Sequence, residues 1–158
     1  MIVMAIMYAQ ISSNEDQRPS GTSPVLITMN QNDEISGIEH SVENPGDIRI
    51  KEAGVYVVIA APQVGRTSGT EERYVDIWLR KNGNDIPNSN VRIVVGTSGA
   101  KDVIVNQTMM SFDSGDVINV MMSVETANEG LGIETIHPEG EPTIPSIIFS
   151  MHKIKEVR

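Results

Sequence analysis

The residues able to do chemistry are few and scattered. Three histidines, His40, His137 and His152, stand far apart, and none has a partner two or four positions away. A zinc site needs three or four converging nitrogen, sulfur or carboxylate ligands. The chain has no cysteine to add thiolate, so metal chemistry at histidine has no local support; a place for His152 where subunits meet is the alternative to a polar strand end. Glu71-Glu72 beside Arg73, and Glu139-Gly-Glu141, put carboxylates in loop-like stretches. Loop oxygens suit calcium, yet the spaced ligands of an EF-hand are missing. Weak calcium binding is the most these groups offer, and solvated surface is the reading they favour. Asp113 and Asp116 flank Ser-Gly, whose chemistry is that of a tight turn. No cofactor is expected.

Nucleophilic catalysis fares no better. A nucleophile elbow has the form Gly-x-Ser-x-Gly, and Gly96-Thr-Ser-Gly99 is one residue short of it. Gly65-Arg-Thr-Ser-Gly69 lacks the lysine and the strand-to-helix setting of a phosphate loop. Asn106-Gln-Thr108 is a glycosylation sequon inside a strand-like segment, and is read as incidental. No carboxylate pair stands out as a glycosidase acid and base. A non-enzymatic protein is expected. The single tryptophan, Trp78, has the one claim to function: alternation sets it on the polar face of its strand with Asp76 and Arg80. Tryptophan and arginine are frequent in binding hot spots, so these three are candidate partner contacts. Packing of Trp78 under a loop or against a neighbouring subunit is the competing account.

Composition narrows the partners. With 12 basic and 21 acidic residues the net charge is -9, and no basic cluster offsets it. Such a field repels phosphate backbones, so no nucleic acid is expected. The apolar start, Met1 to Ala9, is too short to cross a bilayer and lacks the basic flank of a signal peptide; it reads as a strand entering a core, and no membrane insertion is expected. Nine methionines stand against two phenylalanines. The Met109-Met110 and Met121-Met122 pairs are expected to pack where aromatics otherwise would.

These side chains must be positioned by strands. Strand-like segments fall near 3–11, 24–30, 46–51, 54–62, 73–82, 90–96, 102–112, 117–126 and 145–154, separated by clusters of Gly, Asn, Asp and Ser. Residues 12–23 carry no apolar side chain, and predict a loop or linker after a first strand. Residues 1–158 are expected to form a single all-β domain, a sandwich or barrel. Val75, Ile77 and Leu79 share one face; so do Ile118, Val120, Met122 and Val124. Val55 to Ala61 shows no alternation, which predicts a strand covered on both faces. Ile148 and Ile154 sit opposite Ile147, Phe149 and Met151, giving the last strand a second apolar face. Apolar outer faces point to a subunit interface.

The order of these signals resembles the jelly-roll superfamily of complement C1q heads and tumour necrosis factor. The matching pieces are Ala53-Gly-Val-Tyr56, Leu79-Arg-Lys-Asn-Gly83, Phe112-Asp-Ser-Gly-Asp-Val117 and Ile148-Phe-Ser150, covering roughly 24–154. Trp78-Leu, the Asn82-Gly turn and Pro87-Asn-Ser89 are similar to C1q-like domains of bacteriophage virion proteins. The resemblance implies a two-sheet jelly roll of about ten strands, assembled as a homotrimer with one sheet toward the axis. Tyr56, Val58, Ile148 and Ile154 are then the expected interface residues. Ile48, Val58 and Ala60 replace aromatic positions of complement C1q, and the 158 residues contain no Gly-X-Y collagen repeat. The implied function is a trimeric binding or structural module, virion-associated or receptor-binding, acting on the virion or outside the cell against a host-surface glycan or protein. A secreted C1q-like lectin or adhesin is one alternative. A jelly-roll enzyme, either a cupin or a carbohydrate hydrolase, is another, although the His-x-His pattern of cupins is missing.

Overall fold

The computed structural model describes residues 6–156. Its strands are β1 (Tyr8–Ser13), β2 (Val25–Leu26), β3 (Gln31–Ser36), β4 (Ile38–His40), β5 (Ile48–Ile50), β6 (Gly54–Gly65) and β7 (Arg73–Lys81), then β8 (Asn84–Asp85), β9 (Val91–Val95), β10 (Lys101–Val103), β11 (Asn106–Phe112), β12 (Val117–Val124), β13 (Gly132–Ile133) and β14 (Ile147–Lys155). Ten of them make two facing layers, β3-β1-β14-β6-β11 and β4-β5-β12-β7-β9; the short β2, β8, β10 and β13 extend strand edges. Every pairing between these strands is antiparallel, and the chain crosses between layers at β3–β4, β5–β6, β6–β7, β9–β11, β11–β12 and β12–β14. This is a two-sheet jelly roll.

Alternation explains which residues close the sandwich. Ala9, Ile11, Tyr56, Val58, Ala60, Phe149 and Met151 from the first layer meet Ile48, Ile50, Val75, Ile77, Leu79, Ile118, Val120 and Met122 from the second in one continuous core. Burying each large apolar side chain contributes about 1.5–3 kcal/mol. Tyr56 and Phe112 pack edge to face with ring centroids 5.7 Å apart, and the Tyr56 hydroxyl donates to the Glu52 carbonyl at 2.9 Å.

Several expectations are corrected here. β6 does alternate: Tyr56, Val58 and Ala60 point into the core, while Val55, Val57, Ile59 and Ala61 form the half-buried outer row. Tyr56 and Val58 are fully buried within one chain and have no surface to offer a second subunit. An unbroken apolar run hides period-two alternation, because both rows are hydrophobic. The first strand starts at Tyr8, and the predicted residues 3–5 lie outside the described ones. Residues 12–23 are not a loose linker: Ser12 and Ser13 belong to β1, and Gln17 bridges Ile133 through backbone hydrogen bonds of 3.0 Å in both directions. The Gln17 side chain also closes a pair with Thr28, at 2.8 Å to its carbonyl and 2.8 Å from its N–H. Met121 and Met122 are buried, as their pairing suggested, whereas Met109 is 63% exposed.

Charged side chains tie down one end of the sandwich. Arg66, 1% exposed, donates to the carbonyls of Ser68 (2.8 Å), Glu71 and Gly96 (2.7 Å), and to the Glu129 carboxylate. Nearby, the buried Glu134 receives Arg18 at 2.8 Å, and also Lys101.

Candidate functional site

The outer face of the second layer carries the residues singled out by sequence. On β7, Asp76, Trp78 and Arg80 alternate with inward Val75, Ile77 and Leu79, so the pleat turns all three outward. Across the pair with β12, Asp76 lies opposite Ser123, Trp78 opposite Met121, and Arg80 opposite Asn119. Met121 is buried although it belongs to this outer face and not to the core.

Past β7, the chain reverses at Asn82-Gly83, both with positive φ (50° and 80°), the backbone of a tight hairpin. That reversal returns β8 beside β7, with Asp85 opposite Arg80. One oxygen of Asp85 accepts both the Trp78 indole N–H (2.8 Å) and the Arg80 Nε–H (2.9 Å). Hydrogen bonding by Trp78, and then by Arg80, holds the Asp85 carboxyl below the ordinary aspartate range. Sequence therefore placed Trp78 and Arg80 on the right face, while the carboxylate that orients them comes from a different strand.

A second ion pair borders the site. Arg92 of β9 grips Asp76 with two hydrogen bonds of 2.8 Å, and its guanidinium lies 3.6 Å from the centroid of the Tyr74 ring. The Asp76 hydrogen bonds raise the Arg92 pKa above its ordinary value.

The turn after β8 is fixed from below. The Ser89 hydroxyl accepts from the Leu79 N–H (3.0 Å) and donates to the Ile86 carbonyl (2.8 Å), while the buried Asn106 amide holds the Ser89 and Ile77 carbonyls. Asn106 is thus a buried structural amide, closed to the glycosylation its sequon suggests. Asn88 takes positive φ (62°), which asparagine tolerates, and both Asn88 and Asn90 are exposed.

Together these parts enclose an open concavity of about 370 Å³ lined by Asp76, Trp78, Asp85, Ile86, Asn88, Asn90 and Ser123. A neighbouring groove of about 300 Å³ shares Asp85 and Ile86 and continues toward Pro87 and Met110. Among the described residues, no nucleophile in the concavity is hydrogen-bonded to a base. The arrangement presents an indole, a carboxylate oxygen, two amides and a hydroxyl, a set suited to binding. Asp85, Asn88, Asn90 and Ser123 were not found by sequence reasoning; their only signals were the Asn-Gly reversal and the alternation of β12.

The other chemistry-bearing residues are dispersed. His40 is buried, with its ring nitrogens 2.6 Å from Asn32 Oδ1 and 3.0 Å from the Pro45 carbonyl. His137 meets Thr143 at 3.2 Å. Asp116 closes its own turn, accepting from the Asp113 N–H (2.8 Å) and the Asn82 amide (2.8 Å).

A second surface feature lies on the outer face of the first layer. Register aligns Tyr8, His152, Val57 and Met109 in one cross-strand row, and Gln10, Ser150, Ile59 and Gln107 in the next. Ile148 and Ile154 extend it, 39% and 47% exposed. The predicted outward placement of these two isoleucines matches their position.

No family model matches the sequence, and neither does any curated protein. Among solved structures the chain is similar to murine APRIL, determined at pH 8.5, pH 5.0 and pH 8.0. These three align with TM-scores of 0.57, 0.59 and 0.57 at 15%, 12% and 14% identity, each covering 94% of this chain and 99% of the other. APRIL is a member of the tumour necrosis factor family. With its two antiparallel layers and this overlap along almost the whole chain, the protein has a C1q/tumour-necrosis-factor-like jelly-roll fold.

Proposed function

We propose that the protein is a non-enzymatic homotrimeric binding module, carried on a virion or acting outside the cell, that presents three outward-facing sites to a host-surface partner. The observation that carries this reading is the uncovered apolar face of the first layer, where Tyr8, Met109, Ile148 and Ile154 stand exposed beside half-buried Val57 and Ile59. Set among His152, Gln10, Ser150 and Gln107, these side chains form an apolar patch of the kind that marks an interaction surface. The fold supports a threefold arrangement with that layer inward, as the family resemblance implies.

The concavity around Trp78 lies on the opposite layer, so subunits joined through the first layer leave it open to solvent. Three identical sites on one rigid body reinforce each other when a surface presents repeated ligands. Light scattering behind size exclusion tests the assembly. A mass of three subunits is expected; a monomer at micromolar concentration contradicts the trimer.

A further inference from the structure

We infer that the concavity around Trp78 is a subsite for one neutral hexopyranose residue. The inference rests on reading the chain as a binding module, but not on its being a trimer, since every lining residue comes from one subunit.

The lining has the two properties a pyranose needs. A sugar ring has an apolar C–H face and a rim of vicinal hydroxyls, each both donor and acceptor. Indole carries a negative π-face that attracts such C–H groups, and Trp78 is held by its N–H to Asp85, which reduces the conformational freedom lost on binding. Around it stand mixed donors and acceptors. Asp85 uses Oδ1 for both its hydrogen bonds, leaving Oδ2 as an acceptor. Among the described residues, the side chains of Asn88, Asn90 and Ser123 make no hydrogen bond, so each can serve a hydroxyl. Asp76, by contrast, spends both oxygens on Arg92. At about 370 Å³ the space is at the small end of ligand sites, fitting one ring. The adjoining groove beyond Asp85 leaves room for a glycan to continue.

Charge sets the sign of the sugar. Each carboxylate in the concavity is matched by an arginine, and the chain as a whole carries -9. An acidic sugar gains no unpaired cation here and meets a repulsive field. A neutral hexose loses nothing.

Trp78 is the only tryptophan in the chain, so its emission reports on this concavity alone. The test titrates the full chain with D-glucose, D-galactose, D-mannose, N-acetylglucosamine and D-glucuronate, read by tryptophan emission and by saturation-transfer NMR to the sugar. At least one neutral sugar should give a saturable response in the millimolar range. The double variant Asn90→Ala/Ser123→Ala, which keeps Trp78 and removes two free polar groups, should weaken it about tenfold with an unchanged melting temperature. If that variant misfolds, Ser123→Ala alone should still weaken binding several-fold. Silence of both signals for all four neutral sugars overturns the inference, as does a response unaltered by the substitutions, or tighter binding of glucuronate. Mass measured on the same sample separates the readings: a monomer that responds retains the sugar subsite and removes the trimer, and a silent trimer does the reverse.

Discussion

Asp85 shows how much a single side chain can organise. Its Oδ1 orients the indole and the Arg80 guanidinium at once, and both donors favour the ionised form. A carboxyl held below its ordinary 3.8 stabilises the folded site above that value, and the contribution is lost as pH falls through the lower folded-state pKa. Tryptophan emission should therefore shift only below about pH 3.8, and Asp85→Asn should abolish that acid transition while leaving the neutral spectrum close to the parent's. At this scale Asp76, Trp78 and Arg80 were legible in the sequence because alternation along a nine-residue strand assigns faces without further information. Asp85 and Ser123 were not, since their place beside Trp78 depends on a chain reversal and on cross-strand register.

At the scale of elements, the Asn82-Gly83 hairpin joins two parts of the second layer. Besides adopting positive φ, Asn82 donates from its amide to Asp116 (2.8 Å) and accepts from the Val117 N–H (2.9 Å), locking the β7–β8 reversal onto the start of β12. Asn82→Ala loses both bonds and replaces a residue that tolerates positive φ with one that adopts it less readily. It should cost about 2 kcal/mol in a urea melt, whereas Asn82→Gly, which keeps the backbone, should cost less. Burial, which by itself would raise the Asp116 pKa, is outweighed by hydrogen bonds from Asn82 and from the Asp113 backbone, so its carboxyl lies below the usual range. Asn82→Gly should move that carboxyl upward in an NMR titration. The hairpin was readable from its dipeptide. The edge strand β3 was not: Gln31 to Glu34 is polar and exposed on both faces, and joins β1 through the backbone ladder and a Ser12–Gln31 side-chain hydrogen bond of 3.4 Å. The faces of β6 were also hidden, because Val57 and Ile59 look as hydrophobic as the Tyr56 and Val58 that fill the core.

For the molecule as a whole, the two layers divide the labour, an apolar outer face on one and a polar concavity on the other. Met109→Glu/Ile148→Glu places two carboxylates on the apolar face without touching the core. The predicted product is a folded monomer with its tryptophan emission preserved, checked by light scattering and fluorescence; a mass still equal to three subunits would show that this face is not the interface. The jelly-roll class was legible because short strands and turn clusters recur along the chain, while the choice between outer faces required register. A last consequence follows from Arg66. One buried guanidinium fastens three separate loops, through Glu71, Gly96 and Glu129, so none of them can open without breaking the shared anchor. These loops should behave as a single cooperative unit in hydrogen exchange, with a common opening free energy instead of three local ones. Arg66→Ala leaves Glu129 only its 3.5 Å pair with Arg73 and strands the buried carbonyls at a cost of about 2–3 kcal/mol, and should make all three loops open to protease at the same time.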